Sequence, residues 1–546
     1  MKYAVIELKG AYSETGPFRS SAMDLVNPSG GFRFDLFLIQ VEHILASSSA
    51  KKVIVHHFQD FKPMIFAGAE AIRDQLQRLV VAGKELVFVT KQYDLVSLYL
   101  ASACTTRVLH PLGTLAVLGI GRTFTFLKNL LDAQGIQAEV IRAGKYKSAG
   151  DRFRNEKLDS FNREQYELFF DAILQEAQEK ITLGCGKTNG DFEDLMGGAV
   201  LTANQALEQG WIHESATYED LINRLTDQKY KVFKLKKVKG TYGRGKTLVV
   251  LEFEGGIRDG DHGKDPLMGQ MVGSDEYVKT IKELTKNKKV KGVVLRIQSG
   301  GGSATASEDI SRELLRLAEK KPVVVSMSDV AGSGGYWISL GLTRVFAQKT
   351  SLTGSIGVIG ILFSFKEMLK KYGITSDEIH RGDFANLGSP TKSIKKKEIK
   401  LVNESIQAMY QQFLEKVAHA RGRTPEEIHD LAQGRVYSGQ DAFTKGLVDD
   451  LGGLTDALDW LKNELRLSQC KVEFMPKRKR SLLEKLVGGS QASMDIGFSE
   501  THRLPLSQQL SYLQKGYVSS SAISAAFANQ FIVTHGYKPI LLMELQ

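Results

Sequence analysis

The chain repeats itself over most of its length. Tyr99-Leu100-Ala101-Ser102 followed by Thr106-Arg107-Val108 returns as Tyr336-Trp337-Ile338-Ser339 followed by Thr343-Arg344-Val345, each residue 237 positions on. Gly210-Trp211-Ile212 returns as Gly446-Leu447-Val448, 236 positions on, so the register drifts by a single residue. Earlier in each copy, residues 3–10 resemble 248–255 and residues 52–55 resemble 291–295. A period this long marks a duplicated domain rather than a solenoid of short units. Within each copy, short β-branched runs ended by glycine or polar residues alternate with helical patterns such as 306–318 and 404–418. That alternation predicts an α/β fold with parallel sheets covered by helices. The expected domains are residues 1–235 and 245–475, joined by a Lys/Gly-rich linker over 227–244. Residues 476–546 have no counterpart. Their basic run, followed by Leu482-Leu483 and Leu486-Val487, predicts a short amphipathic helix and then a less ordered tail.

A chain of 546 residues exceeds what one core fills, in keeping with two copies. Apolar residues at 42% and charged residues at 25% exclude a disordered chain and a membrane bundle. Glu7 interrupts the first apolar run, so no signal peptide is expected, and residues 356–365 fall short of the roughly 18 that span a bilayer. The expected location is cytoplasmic or peripheral to a membrane. Cys104, Cys185 and Cys470 are too scattered for a disulfide framework or a zinc site and suit a reducing compartment. The net charge of +10 owes much to Lys395-Lys396-Lys397 and to residues 477–480. These clusters read as solvated basic faces or as contacts for anionic lipid, and no nucleic-acid partner is expected.

Three glycine-rich elements follow strands of the second copy, where α/β folds place their sites: residues 299–303, residues 332–336 and residues 352–357. A serine between glycines at a strand-to-helix turn, as Ser333 is, can expose its Oγ while the first helix amides face any oxyanion beside it. The competing role for such a serine is an N-cap. The repeat adds a second clue. Ser333 corresponds to Val96, and, with Gly144 matching Gly382, Lys147 corresponds to Ala385. Each copy lacks what the other keeps, which suits one composite site spanning both. Lysine activates a serine only when neutral, and a buried interface between domains lowers its pKa from about 10.4. The competing role for Lys147, taken by itself, is a surface cation, and Lys145, two residues away, is the evident decoy.

These motifs resemble the signal peptide peptidase A family in its long bacterial form with tandem domains. The resemblance covers about residues 1 to 470 and is strongest over residues 326–360, 295–308, 146–149 and 432–451. It implies a crotonase/ClpP-like fold and a serine peptidase with Ser333 as nucleophile and Lys147 as general base, needing no metal and no cofactor. It further implies an oxyanion hole from the amides of Gly301 and Gly334, and a Ser355 that hydrogen-bonds the lysine. Apolar peptides such as released signal peptides are the implied substrates, and a dome-like homotetramer the implied assembly. The family pattern Asn-Ser-Pro-Gly-Gly reads Gln298-Ser299-Gly300-Gly301-Gly302 here, which predicts a looser loop and lower activity. The family's N-terminal anchor has no counterpart, so peripheral membrane attachment or work on cytosolic peptides is expected.

Three other readings remain open. Acyl-CoA hydratases and carboxyltransferases share the fold and its paired glycine amides but have no use for Ser333 or Lys147. A Ser/His arrangement would draw on His380, in the strand-like run before Gly382. A peptide-binding scaffold without catalysis gains from the altered loop.

Overall fold

The structure is a computed structural model that describes residues 2–14, 31–63, 65–233, 241–265 and 269–476. The predicted tail and the basic run at 477–480 lie outside the described residues. In the first half, the parallel strands Lys231–Val232, Lys2–Leu8, Ala50–His57, Glu85–Tyr93 and Thr106–Ala116 lie side by side, and Val200–Thr202 closes the far edge antiparallel. The second half repeats this with Cys470–Met475, Lys246–Glu254, Val290–Ser299, Val323–Gly332 and Arg344–Ala347. Its antiparallel partner Val436–Ser438 pairs with Leu352–Gly354. The strands are short β-branched runs buried on both faces, which is why they read as unbroken apolar stretches in the sequence. The tandem α/β architecture predicted by the repeat is the observed one.

Even an irregularity is duplicated. Lys2 faces Ala50 while Tyr3 faces Lys52, and Thr247 faces Val290 while Leu248 faces Gly292, so the same extra residue interrupts both ladders. The ladders make Lys52 the equivalent of Gly292, one residue away from the Lys52–Lys291 match suggested by sequence. Strand pairing fixes this register because a one-residue slip would exchange the two faces of the sheet.

One hydrophobic core runs through both halves. Val53 and Val55 of the first sheet share it with Val294 and Val324 of the second. Val53 matches Val293, so Val294 points to the opposite face of its sheet, and the two halves stack head to tail. Polar contacts pin the seam. Asp329 accepts from the amides of Ile65 (3.1 Å) and Gly68 (2.6 Å), capping the first half's helix Phe66–Val81 from the second half. Glu14 and Arg296, both almost fully buried, form a two-pronged ion pair at 2.8 and 3.1 Å. Glu70, on the same helix, accepts from the Lys349 and Thr350 amides. Burial raises its carboxyl to about 8, with Asp74 and Glu176 adding to the effect.

The halves also share a ladder. The strand Gln137–Ala143 of the first pairs antiparallel with Val358–Ser364 of the second, from Ala143 opposite Val358 to Gln137 opposite Ser364. The segment matching Gln137–Ala143, residues 375–381, is not the strand its sequence suggested; it is irregular, and Ile379 is 92% exposed. A strand needs a partner for its backbone groups, and here only one copy of the motif finds one.

Candidate active site

The strand Val323–Gly332 ends at Ser333, whose φ of 53° and ψ of −118° lie where few residues other than glycine settle. The strain is held in place by hydrogen bonds on both sides: the Ser333 amide donates to Gly354 O at 2.9 Å, and its carbonyl accepts from the Trp337 amide at 2.9 Å. The side chain is therefore thrown clear of the helix Gly334–Trp337, and it makes no N-cap bond. Lys147 follows the strand Gln137–Ala143, whose ladder with the second half carries it across the seam. Its Nζ lies 2.9 Å from Ser333 Oγ, 2.9 Å from Ser355 O and 3.0 Å from Ser355 Oγ. Ser355 is itself strained, with φ of 51°, and its amide donates to Arg435 O at 2.7 Å.

Lys147 is 5% exposed, and burial lowers its pKa to about 7, desolvation being the cause. No carboxylate ion-pairs with it among the described residues, so no opposite charge offsets the desolvation of the ammonium. A neutral amine here has a lone pair for the Ser333 hydroxyl proton while its own N–H groups face the two Ser355 oxygens. That is the arrangement of a nucleophile beside its base.

Gly301 and Gly334 lie against one another beside Ser333. A Cβ on Gly301, whose φ is +101°, would sit 2.6 Å from Gly334 N and 2.8 Å from Ser333 Cβ, so only glycine fits. The Gly334 amide has no protein acceptor among the described residues, whereas the Gly301 amide leans 3.2 Å toward Ser299 Oγ. At Gly300 a side chain would meet nothing within 4 Å.

The other sequence candidates lie elsewhere. Val96 is inside the helix Leu95–Ala101, whose start is closed by an Asp94–Ser97 capping box, and Ala385 is exposed in irregular chain. His380 is exposed and makes no hydrogen bond to Ser333. Lys145 packs its ammonium over the Tyr146 and Phe161 rings, at 5.4 and 4.9 Å. Lys395, Lys396 and Lys397 are exposed, and Lys397 pairs with Asp383. Cys104 and Cys185 are buried and free, and burial pushes the Cys104 thiol up to about 12, so it is inert.

Sequence reasoning assigns no role to the residues that hold the lysine's turn. Tyr146 N donates to Gln433 O at 2.9 Å, and Gln165 donates to Tyr146 O at 3.2 Å. Gly434, with φ of +77°, is so close that a Cβ would lie 2.5 Å from Lys147 Cβ. Tyr146, Gln433 and Gly434 fall in stretches where the family resemblance is strong, 146–149 and 432–451, whereas Gln165 falls in none.

Fold and site together define a duplicated α/β protein with a buried lysine–serine pair at the junction of its halves. The model of peptidase family S49 matches residues 78–232 and 316–468, and the chain belongs to that family. The chloroplastic serine protease SPPA of Arabidopsis thaliana is 31% identical over 412 residues, 73% of this chain and 61% of that one. Protease 4 of Salmonella typhi is 31% identical over 417 residues, 72% of this chain and 66% of its own. A protein described as a signal peptide peptidase SppA, from Enterococcus faecium, is 33% identical over 229 residues, 42% of this chain and 66% of that one. The chain thus spans about three fifths to two thirds of the length of these relatives.

Proposed function

We propose that the chain is a serine endopeptidase in which Lys147 and Ser333 form a dyad. The observation that carries this reading is the buried, carboxylate-free Lys147 Nζ at 2.9 Å from Ser333 Oγ. Neutral Lys147 takes the Ser333 proton as Oγ bonds to the scissile carbonyl carbon. The amides of Gly334 and Gly301 hold the oxyanion, the latter turning from Ser299 Oγ to do so. Lys147 then gives the proton to the leaving amine, the C–N bond breaks, and an acyl-enzyme remains. Water, deprotonated by the same lysine, attacks the ester and releases the acid. Ser355 orients the amine through its two oxygens. The two halves act as domains, 1–235 supplying the base and 245–475 the nucleophile.

The substrates we infer are apolar peptides such as released signal peptides, a reading supported by the names of the relatives. The assembly we infer is a homotetramer. Head-to-tail stacking is the heterologous kind of contact that propagates into rings. The irregular, exposed segment 375–381 is the copy of a strand that pairs only across the seam. Residues 395–397 provide an exposed basic face for peripheral contact with anionic lipid. No described helix is long and apolar enough to cross a membrane.

The test is hydrolysis of a fluorogenic apolar peptide by wild type, Ser333→Ala and Lys147→Ala across pH 5 to 10. Because only the neutral lysine serves as base, activity should rise with pH through about 7 and then level off, following the lowered lysine pKa. Both variants should stay folded and lose activity. A flat profile, or variants that cleave like wild type, would overturn the dyad.

A further inference from the structure

Lys147 sits on a turn with no ladder or helix of its own, yet a base works only if held within a fraction of an ångström of its partner. What fixes this turn comes from outside it. Gln165, on the first half's long helix Ser160–Cys185, is 2% exposed, and its side-chain amide is fully used. Its Nε2 donates to Tyr146 O at 3.2 Å and to Asn162 Oδ1 at 2.8 Å, and its Oε1 accepts from the Val436 amide at 3.1 Å. Tyr146 precedes the lysine. Val436 belongs to the segment 433–436 of the second half, in which Gln433 O holds the Tyr146 amide and Arg435 O holds the Ser355 amide. One side chain therefore clasps both the turn that carries the base and the strap that sets the lysine's Ser355 contacts.

We propose that Gln165 is a positioning residue for the lysine base, acting as a two-sided clamp between the Tyr146 carbonyl and the Val436 amide. This rests on the dyad reading above. The donor–acceptor order matters: a glutamate of the same shape keeps an acceptor for Val436 but has no N–H for Tyr146 O or Asn162 Oδ1. It would face a carbonyl with a carboxylate, and the turn would pull away from Ser333. Methionine, of similar length and uncharged, makes none of the bonds. Gln165 is buried and touches protein groups on both of its polar atoms, so its loss should act on turnover rather than on binding.

Steady-state hydrolysis of the same fluorogenic peptide, as a function of pH, tests this with four proteins: wild type, Gln165→Glu, Gln165→Met and Gln75→Ala. Gln75 makes a 2.6 Å bond to Thr455 across the seam away from the site, so its variant loosens the interface without touching the base. Both Gln165 variants should lower kcat about 10- to 100-fold with KM unchanged within about twofold. Their apparent pKa should move up as water reaches the lysine. The surrounding charges, Arg142 with Asp151 and Arg435 with Glu164, keep their partners in the uncharged Gln165→Met, so a shift there reports the lysine. Gln75→Ala should change thermal stability but neither kcat nor the profile. The proposal is overturned if the Gln165 variants behave like Gln75→Ala, or if KM rises while kcat and the profile stay put. Ser333→Ala and Lys147→Ala in the same assay separate this failure from that of the dyad: should they remain active, the base itself is misassigned.

Discussion

The first and second halves share their strand order and even the bulge at the start of their sheets, yet they treat the ends of the equivalent strands Glu85–Tyr93 and Val323–Gly332 in opposite ways. In the second half the chain leaves Gly332 through a strained serine and starts a short helix whose first amide has no protein acceptor among the described residues. In the first half, the equivalent turn relaxes into a helix closed by Asp94 and Ser97, with Val96 packed against the core. The same asymmetry runs the other way at the lysine: Lys147 is buried under the partner half, while Ala385 hangs in exposed chain. Of the two equivalent turns only one carries a strained serine, and the copy freed of it spends its backbone groups on capping instead.

The largest effect is expected from trying to make the halves trade roles. Val96→Ser in a Ser333→Ala background should leave peptide hydrolysis at the level of Ser333→Ala, about 10⁴-fold or more below wild type, because a serine inside a capped helix has neither an exposed Oγ nor a lysine. Recovered activity would break the comparison. Next in size is a glycine pair. Gly434 and its counterpart Gly198 both have positive φ, at +77° and +102°, but a Cβ on Gly198 meets nothing within 4 Å, whereas one on Gly434 meets Lys147. Gly434→Ala should lower kcat about 100-fold; Gly198→Ala should lower stability by about 1 kcal/mol and leave kcat alone. Equal kinetic effects would show that the strap does not bear on the lysine. The smallest is Gly300→Ala, into open space and outside the left-handed region, where a gain of about 0.4–1 kcal/mol in unfolding free energy is expected from a stiffer unfolded chain. A loss would mean that the loop depends on glycine there.

Much of this was legible in the sequence because it is local or repeated. The strands are apolar runs, the glycines announce tight approach, and the mismatch of Ser333 with Val96 and of Lys147 with Ala385 marks the two odd residues of an otherwise matched pair. What stayed hidden are contacts between side chains far apart in the chain. Gln165 reaches Val436 across 271 residues and Arg296 reaches Glu14 across 282, and neither partner carries a local pattern that names the other. Residues 375–381 misled for a related reason: their composition suits a strand, but pairing depends on a neighbour that composition does not supply.

The seam between the halves also sets a clock on biogenesis. The lysine and serine are separated by 186 residues, and the strap that holds the lysine's turn comes later still, at 433–436. Synthesis runs from the N-terminus, and domains fold as they emerge. A nascent chain can therefore complete its first sheet with Lys147 still open to water, fully protonated and chemically idle. The pair comes into being only once residues 433–436 have left the ribosome, so each molecule spends the synthesis of all that precedes them without a working centre and gains one at a single later step.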